Sequence, residues 1–310
     1  DELHRFYKTY YTHQTAKDKT STAKPTAKKF GHLQNKSRTR GYLANRFGYH
    51  CDDLSLWDRF VGLTLWLAPE RRTRIDYSIM HLPAVPNGRA LDVGCGSGEI
   101  LSNLQSLGWK VQGVDFDPAA VEAAQARGVI VHQGDLFEQN FPAESFDAIV
   151  MSHVIEHVPD PLSLIQECER ILKPGGRLVM VTPNPKSLSH FWFGKAWRGL
   201  EPPRHLYIQT QASLQSLTSK AGFEHVEMRT SARFAEGMFL RSFEIQRRQL
   251  GNTDFTPSLF QRRLFQALAI IEVWLHTFGA RNIGEEHVCI GTKAASESVT
   301  QQSPPINRAA

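Results

Sequence analysis

From Gly88 to Thr182, short apolar runs alternate with longer stretches in which apolar residues return every three or four positions. The short runs are Arg89–Val93, Lys110–Val114, Val129–His132, Ser145–Met151 and Leu178–Thr182, each with the length and apolar content of a buried strand. Strand alternating with helix predicts a parallel sheet covered on both faces. A further helix is expected over Thr210–Ala221, closed by Gly222, and a sixth strand over Phe223–Arg229. Upstream, Gly41–Leu82 reads as helical, with Leu54, Trp57, Phe60, Val61, Leu65 and Trp66 at helix spacing. Phe6, Tyr7, Tyr10 and Tyr11 fall on one face of a short helix within Asp1–Tyr11.

Downstream of the sixth strand the pattern predicts two helices. The first covers about Ala235 to Leu250. The second starts with Thr256 as N-cap and Pro257 at the first helical position, and stops at Gly279. In that helix Phe260, Leu264, Leu268, Ile271, Leu275 and Phe278 repeat at helix spacing. It is apolar almost all round from Leu264 to Phe278, so it should be buried or bound to an apolar partner. Packing on the domain is the simpler reading. A homodimer interface or a membrane surface is the sharper one, with Arg247, Arg248, Arg262 and Arg263 as flanking charges.

Charge adds one feature to this outline. The net charge is +5, and Lys17, Lys19, Lys24, Lys28, Lys29, Lys36, Arg38 and Arg40 concentrate between Thr12 and Arg40 against Asp18 alone. Ser, Thr, Ala and Pro fill the rest, the composition of a mobile basic tail. Such a tail can be a solvated linker or touch anionic lipid, nucleic acid or an acidic carrier. The polar stretch after Thr292 is expected to be disordered. The four cysteines, Cys51, Cys95, Cys168 and Cys289, are scattered, which argues against a zinc ribbon or a disulfide framework and fits a reducing cytosol. No apolar stretch has the length of a membrane span, and no signal peptide is visible in a sequence that begins at Asp1. The expected location is cytoplasmic, with peripheral membrane contact left open.

Candidate chemistry begins at Asp92-Val93-Gly94-Cys95-Gly96-Ser97-Gly98-Glu99. Glycines at alternate positions between a strand and a helix let the backbone turn tightly and approach a ligand. Asp115, at the end of strand two and about 20 residues on, is placed to accept hydrogen bonds from ribose hydroxyls. Gly134-Asp135-Leu136 follows strand three, where an acid can accept a bond from an adenine amine. Ser152-His153-Val154-Ile155-Glu156-His157 follows strand four, and Leu172-Lys173-Pro174-Gly175-Gly176-Arg177 launches strand five.

This ordered set resembles the class I S-adenosylmethionine-dependent methyltransferases. Glu156-His157-Val158-Pro159-Asp160-Pro161 and Pro203-Arg204-His205-Leu206-Tyr207 resemble the branch containing ubiquinone-type O-methyltransferases and glycan and secondary-metabolite methyltransferases. The resemblance implies a Rossmann-like α/β fold with a seven-stranded, mostly parallel sheet. It also implies an N-terminal helical cover and a helical insertion before an antiparallel last strand near His287–Thr292. The chain is thus expected to divide into an N-terminal segment and basic linker (1–40), a helical cover acting as a lid (41–86), a methyltransferase core (87–230), an insertion (231–286), the last strand (287–294) and a tail (295–310). The implied cofactor is S-adenosyl-L-methionine, leaving S-adenosyl-L-homocysteine as product. Asp92, Gly94, Gly96 and Gly98 would wrap its methionine part, and Asp115 the ribose. Phe116, Gly134, Asp135 and Leu136 would hold the adenine, and Ser152 completes the set. NAD is disfavoured, because its fingerprint wants the third glycine one residue later and because Glu99 sits where a pyrophosphate would bind.

In open α/β sheets the reaction lies at the carboxyl ends of the strands. His157, His153 and His205 are the candidate bases, since histidine as a residue type changes charge near neutral pH. His153 is expected one helical turn before His157, on the same face. His153-Val154-Ile155-Glu156-His157 also matches an inverted zinc-protease pattern, which Pro159 and Pro161 disfavour by preventing a long helix. Quinone enzymes of similar sequence carry Glu-x-x-Glu-His as a metal site. Here His153 replaces the first Glu, so no metal is expected. The aromatic, basic segment after strand five offers Trp192, Trp197, Arg198 and Arg204 for a small-molecule or glycan acceptor. Sequence-specific nucleic-acid binding is not expected. The reading is O-methylation with a histidine base. A metal-dependent quinone-type reaction and a non-catalytic cofactor-binding or interaction protein are the alternatives.

Overall fold

The computed structural model describes residues 36–50, 53–252, 255–279 and 282–295. The aromatic segment at Asp1–Tyr11, most of the basic stretch and the tail beyond 295 lie outside the described residues. A single seven-stranded sheet runs in the order β3-β2-β1-β4-β5-β7-β6. Its strands are β1 (Arg89–Val93), β2 (Lys110–Asp115), β3 (Ile130–Gln133), β4 (Phe146–Ser152), β5 (Leu172–Pro183), β6 (Phe223–Ser231) and β7 (Glu286–Lys293). The first five are parallel, and β7 runs antiparallel to both β5 and β6. Side chains alternate between faces along a strand. Ala90, Val111, Ala148, Val150, Val179 and Val288 therefore enter one core, and Leu91, Val114, Ile149, Met151, Leu178 and Met180 enter the other. Covering on both faces makes these strands continuously apolar.

Lys173-Pro174-Gly175-Gly176, expected as a turn, is absorbed into a long β5. The register with β4 jumps from Phe146↔Leu172 to Ala148↔Arg177, which accommodates the extra residues as a bulge. Lys173 Nζ fixes this bulge on Asp147, at 2.9 and 2.8 Å from its two carboxylate oxygens.

The N-terminal cover is three helices rather than one: α1 (Ser37–Phe47), α2 (Leu56–Leu63) and α3 (Pro69–Ser78). Gly48, in a left-handed conformation (φ 76°), ends α1. Ser55 and Asp58 form a capping box that starts α2. Helix α1 takes Arg38 and Arg40 out of the expected basic tail. Arg40 reaches Asp58 of α2 at 3.1 Å, a pairing across 18 residues that composition does not reveal. The two helices cross where glycine meets glycine. A Cβ on Gly41 would lie 1.7 Å from the Asp58 carbonyl oxygen, and one on Gly62 2.4 Å from the backbone of Gly41. Gly62→Ala is therefore expected to force the helices apart and cost about 1–3 kcal/mol, as overpacking does, read as a lower midpoint in urea unfolding.

Helices α4 (Glu99–Ser106), α5 (Pro118–Gln125), α6 (Pro161–Ile171), α7 (Leu188–Phe193) and α8 (Gln211–Lys220) follow the core strands. Between β6 and β7 lie α9 (Ala235–Gln249) and α10 (Leu259–Thr277). The N-cap of α10 is Ser258, two residues past the expected Thr256, because Ser258 and Gln261 complete a capping box there. Only one stripe of α10 (Phe265, Ala269, Glu272 and Val273) is buried. Its opposite stripe is exposed, so all-round burial is not met. No helix among the described residues is long and apolar enough to cross a membrane.

Candidate active site

The turn after β1 is built as its glycines require. Gly94, Gly96 and Gly98 have φ values of 71°, 51° and 72°. Two are also sterically committed: a Cβ would come within 2.5 Å of Val154 Cγ2 at Gly94 and within 2.9 Å of Ala124 Cβ at Gly98. A Cβ at Gly96 would meet no protein atom within 4 Å, so that position faces open space. The Gly96 N–H donates to Asp115 Oδ2 at 2.8 Å, and the Asp117 N–H donates to Asp115 Oδ1 at 2.9 Å. Asp115 thus holds the glycine turn as well as ending β2. Beneath the turn, Asp92 is 1% exposed and its Oδ1 has no partner. Burial and the neighbouring Asp115 push its carboxyl well above the usual carboxylate range. An orphaned buried carboxyl is costly and points to a missing donor.

Beside the turn, Phe116 is exposed, Leu136 is buried, and Gly134 takes φ 119°. Asp135 Oδ1 accepts the Glu138 N–H at 2.8 Å, and Glu138 Oε2 accepts the Asp135 N–H at 3.1 Å. This reciprocal pair shapes the loop after β3. An open cradle at Gly96, a buried Asp92 with one unpartnered oxygen and Asp115 at the neighbouring strand end fit S-adenosylmethionine. If that cradle is the binding surface, Gly96→Ala meets no neighbouring atom and places a methyl group in the cradle, at a backbone strain of about 1–2 kcal/mol for a side chain at positive φ. A loss of about tenfold or more in S-adenosylhomocysteine affinity is expected, about 1.4 kcal/mol, with a cooperative unfolding transition at a somewhat lower midpoint; calorimetry and thermal denaturation read the two effects.

At the end of β4 the chain departs from a helical course. His153 takes φ 56°, a left-handed conformation rare for non-glycine residues, and a single 3-10 turn follows at Ile155–His157. His153 and His157 therefore do not share a face. His153 Nδ1 lies 3.1 Å from Glu156 Oε1, and its Nε2 lies 2.9 Å from Glu286 Oε1 at the start of β7. Glu156 also accepts from Thr182 Oγ1 at 3.0 Å, and Arg233 Nη2 donates to Glu286 Oε1 at 2.8 Å. The Arg233 guanidinium stacks over Tyr77, whose hydroxyl reaches Ser152 Oγ at 2.6 Å. The result is a chain of alternating charge, Arg233–Glu286–His153–Glu156. Burial opposes charge on His153, but its bonds to Glu156 and Glu286 prevail and raise it to about 10. Burial likewise opposes charge on Glu286, but Arg233 and His153 hold it down at about 2. Both ring nitrogens of His153 donate to carboxylates, so it is a cation with no nitrogen left to accept a proton.

His157 and His205 come together from 48 positions apart, with ring centroids 4.7 Å apart. The Leu206 N–H donates to the Glu156 carbonyl at 2.8 Å and joins the two loops. His157 Nδ1 lies 3.0 Å from the Arg204 carbonyl and His205 Nδ1 2.7 Å from the Gly199 carbonyl. A carbonyl only accepts, so each Nδ1 carries a proton, and His205 Nε2 lies 3.7 Å from Glu201 Oε2. Burial lowers the pKa of His205, favouring its neutral form. One donor atom from each of Glu156, His157 and His205 lies within 4.8 Å of the others, a group with metal-ligand spacing among the described residues. His153 does not join it.

A cavity of about 690 Å³ opens beside these histidines. Ser152, His153, His157, Arg198 and His205 line it, as the sequence suggests. Met238, Arg241, Ile245 and Arg248 form another wall from one face of α9. Sequence reasoning missed that wall, and with it Glu285 and Glu286. The available signal was an acid pair opening an apolar strand. Trp197 is not at the cavity surface. The segment after β5 folds into α7 and two 3-10 turns, Gly194–Ala196 and Arg198–Leu200, which bury Trp197 (1% exposed) against His190, with ring centroids 4.4 Å apart. Trp192 is exposed and does not belong to the lining. Arg204 reaches the site through its carbonyl, while its guanidinium pairs with Glu201 at 2.8 Å.

Sheet order, glycine turn and the acid ending β2 define a class I nucleotide-dependent methyltransferase fold. The methyltransferase-domain family matches residues 67–228, half of the chain, and the protein belongs to that family, with S-adenosylmethionine as cofactor. A ubiquinone biosynthesis O-methyltransferase of Xanthomonas oryzae pv. oryzae is 38% identical over 118 residues, covering 36% of this chain and 49% of that protein. Another, of Alkalilimnicola ehrlichii, is 34% identical over 123 residues, covering 37% and 50%. The chain thus spans about half the length of the curated relatives it matches. Among solved structures, a SAM-dependent methyltransferase of Thermotoga maritima is similar over 76% of this chain and 96% of its own, at 23% identity and a TM-score of 0.48.

Proposed function

We propose that the protein O-methylates a small-molecule or glycan acceptor held in the cavity between His157, His205 and α9. S-adenosylmethionine, when bound, supplies an already activated methyl group. What remains for the protein is to align the acceptor oxygen and take its proton. Asp92, Asp115 and the glycine turn hold the cofactor, and α9 with Arg198 orients the acceptor. The observation that carries the reading is the pairing of His157 and His205 on the cavity wall, each ring held by a bond from Nδ1 to a backbone carbonyl. His153, already protonated on both nitrogens, positions Glu156 and Glu286 instead of acting as base.

The spacing of Glu156, His157 and His205 favours a second reading, metal-dependent O-methylation of a quinone-type acceptor. The names of the relatives agree with it. A methyl-release assay over catechols and sugar hydroxyls, with and without a chelator, separates the two. Turnover that survives chelation is expected from a histidine base. Turnover abolished by chelation and restored by a divalent cation would replace that base with a metal. No turnover on any hydroxylated acceptor, with S-adenosylhomocysteine still bound, would sink both.

A further inference from the structure

We propose that the outer faces of α2 and α10 form a docking surface for an anionic lipid bilayer. On α2, Leu56, Phe60 and Leu63 follow helix spacing outward, and Leu56 is 85% and Phe60 62% exposed. Trp57 packs beside Phe60, with ring centroids 5.7 Å apart. On α10, Phe260, Leu264, Ile271, Trp274 and Phe278 form the exposed stripe, about 27 Å long at helical rise, with Phe260 76% and Phe278 80% exposed. Helix α3 joins the two faces. It packs on α10 and on the 3-10 turn Thr64–Leu67, and its Arg72 lies 4.7 Å over the exposed Trp66 ring. Apolar exposure of this extent marks a binding surface.

Charge selects the occupant. Arg59, Arg71, Arg72, Arg262 and Arg263 border the apolar stripes, with Arg71, Arg262 and Arg263 exposed. Every acid on the three helices is buried or paired. Asp58 is buried against Arg40, Asp76 is buried against Arg46, Glu70 pairs with Arg74, and Glu272 is buried. Two copies of this face would set arginine against arginine, with Glu70, already paired with Arg74, as the one exposed carboxylate on the three helices. Anionic headgroups answer these charges, while the leucine and aromatic stripes enter the acyl boundary. The helices lie along the surface, since none can cross. This inference rests on neither the acceptor nor the histidine base.

The test uses the full chain and vesicles of phosphatidylcholine with or without phosphatidylglycerol. Sedimentation with the anionic vesicles, release by salt and a blue shift of tryptophan emission are expected. Trp57→Ser/Phe60→Ser and Ile271→Ser/Trp274→Ser should each lower the bound fraction constant by about tenfold or more. Retained S-adenosylhomocysteine binding confirms that each variant is folded. No binding to anionic vesicles overturns the proposal. So does binding unchanged in both variants, the result that the Lys-rich stretch 17–36 alone would produce. A dimer in sedimentation velocity that either variant dissolves would assign the surface to a second copy instead.

Discussion

Glu286→Ala is expected to destabilise the protein by about 3–5 kcal/mol, the cost of leaving a buried charge without its partner. Arg233, whose side chain is 7% exposed, would lose its carboxylate, and His153 would lose one of two. Chemical denaturation should report the loss as a lower midpoint. Glu286→Gln should cost less, because it keeps the volume and one acceptor oxygen. The same chain of charges sets a pH window. Glu286 is held at about 2, below its unfolded value, so its contribution is present above about pH 4.3 and fades as pH falls toward 2. His153 is raised to about 10, so its contribution is complete below about pH 6.5 and fades as pH rises toward 10. Wild type should therefore lose stability between pH 6.5 and 10, and His153→Gln should flatten that limb. Thermal melts in the presence of a chelator check both, and equal alkaline slopes in the two proteins would remove the cationic His153 from the account.

His157→Ala and His205→Ala carry the second large expectation. At least one should lower kcat by about 10²–10⁴-fold, the range for a positioned base, while S-adenosylhomocysteine affinity stays within about twofold. His205 has its pKa lowered by burial, which favours the neutral ring. The rate in wild type should rise with pH along an acid limb and then level off, and the base variant should lose that limb. His153→Ala should act on stability more than on kcat. If neither His157 nor His205 changes the rate, the histidine mechanism falls and the two Nδ1 bonds serve loop architecture alone.

What was legible in the sequence was local. Arg89–Val93 running into Gly94, Gly96 and Gly98 is a strand, a turn and a helix start within one stretch, and the structure places them within a residue of expectation. Strands β3 and β4 shift by one residue, as boundaries do when periodicity fades at strand ends. Pairings across long separations were illegible. Arg233 and Glu286 complete a charge chain with His153 only because β7 inserts between β5 and β6. The positive φ at His153 sends it away from His157, and no spacing rule signals that turn. Trp197 was expected at the acceptor because aromatic content does not reveal which ring the loop folds over. Contact between Gly41 and Gly62 likewise depends on two helices crossing, in a stretch whose periodicity reads as helical but does not say which faces meet.

The place of β7 bears on how the molecule is made. Synthesis runs from the N-terminus, and β6 borders β7 alone. Until residues 286–293 leave the ribosome, β6 has no neighbour and β5 presents a bare edge, the kind of edge that recruits other chains. Glu286 arrives with that same strand, so the counter-charge for His153 and Arg233 appears only as the sheet closes. A chain that ends before β7 therefore carries the glycine turn but lacks the counter-charge on its acceptor side, and it leaves the β5 edge open to other chains.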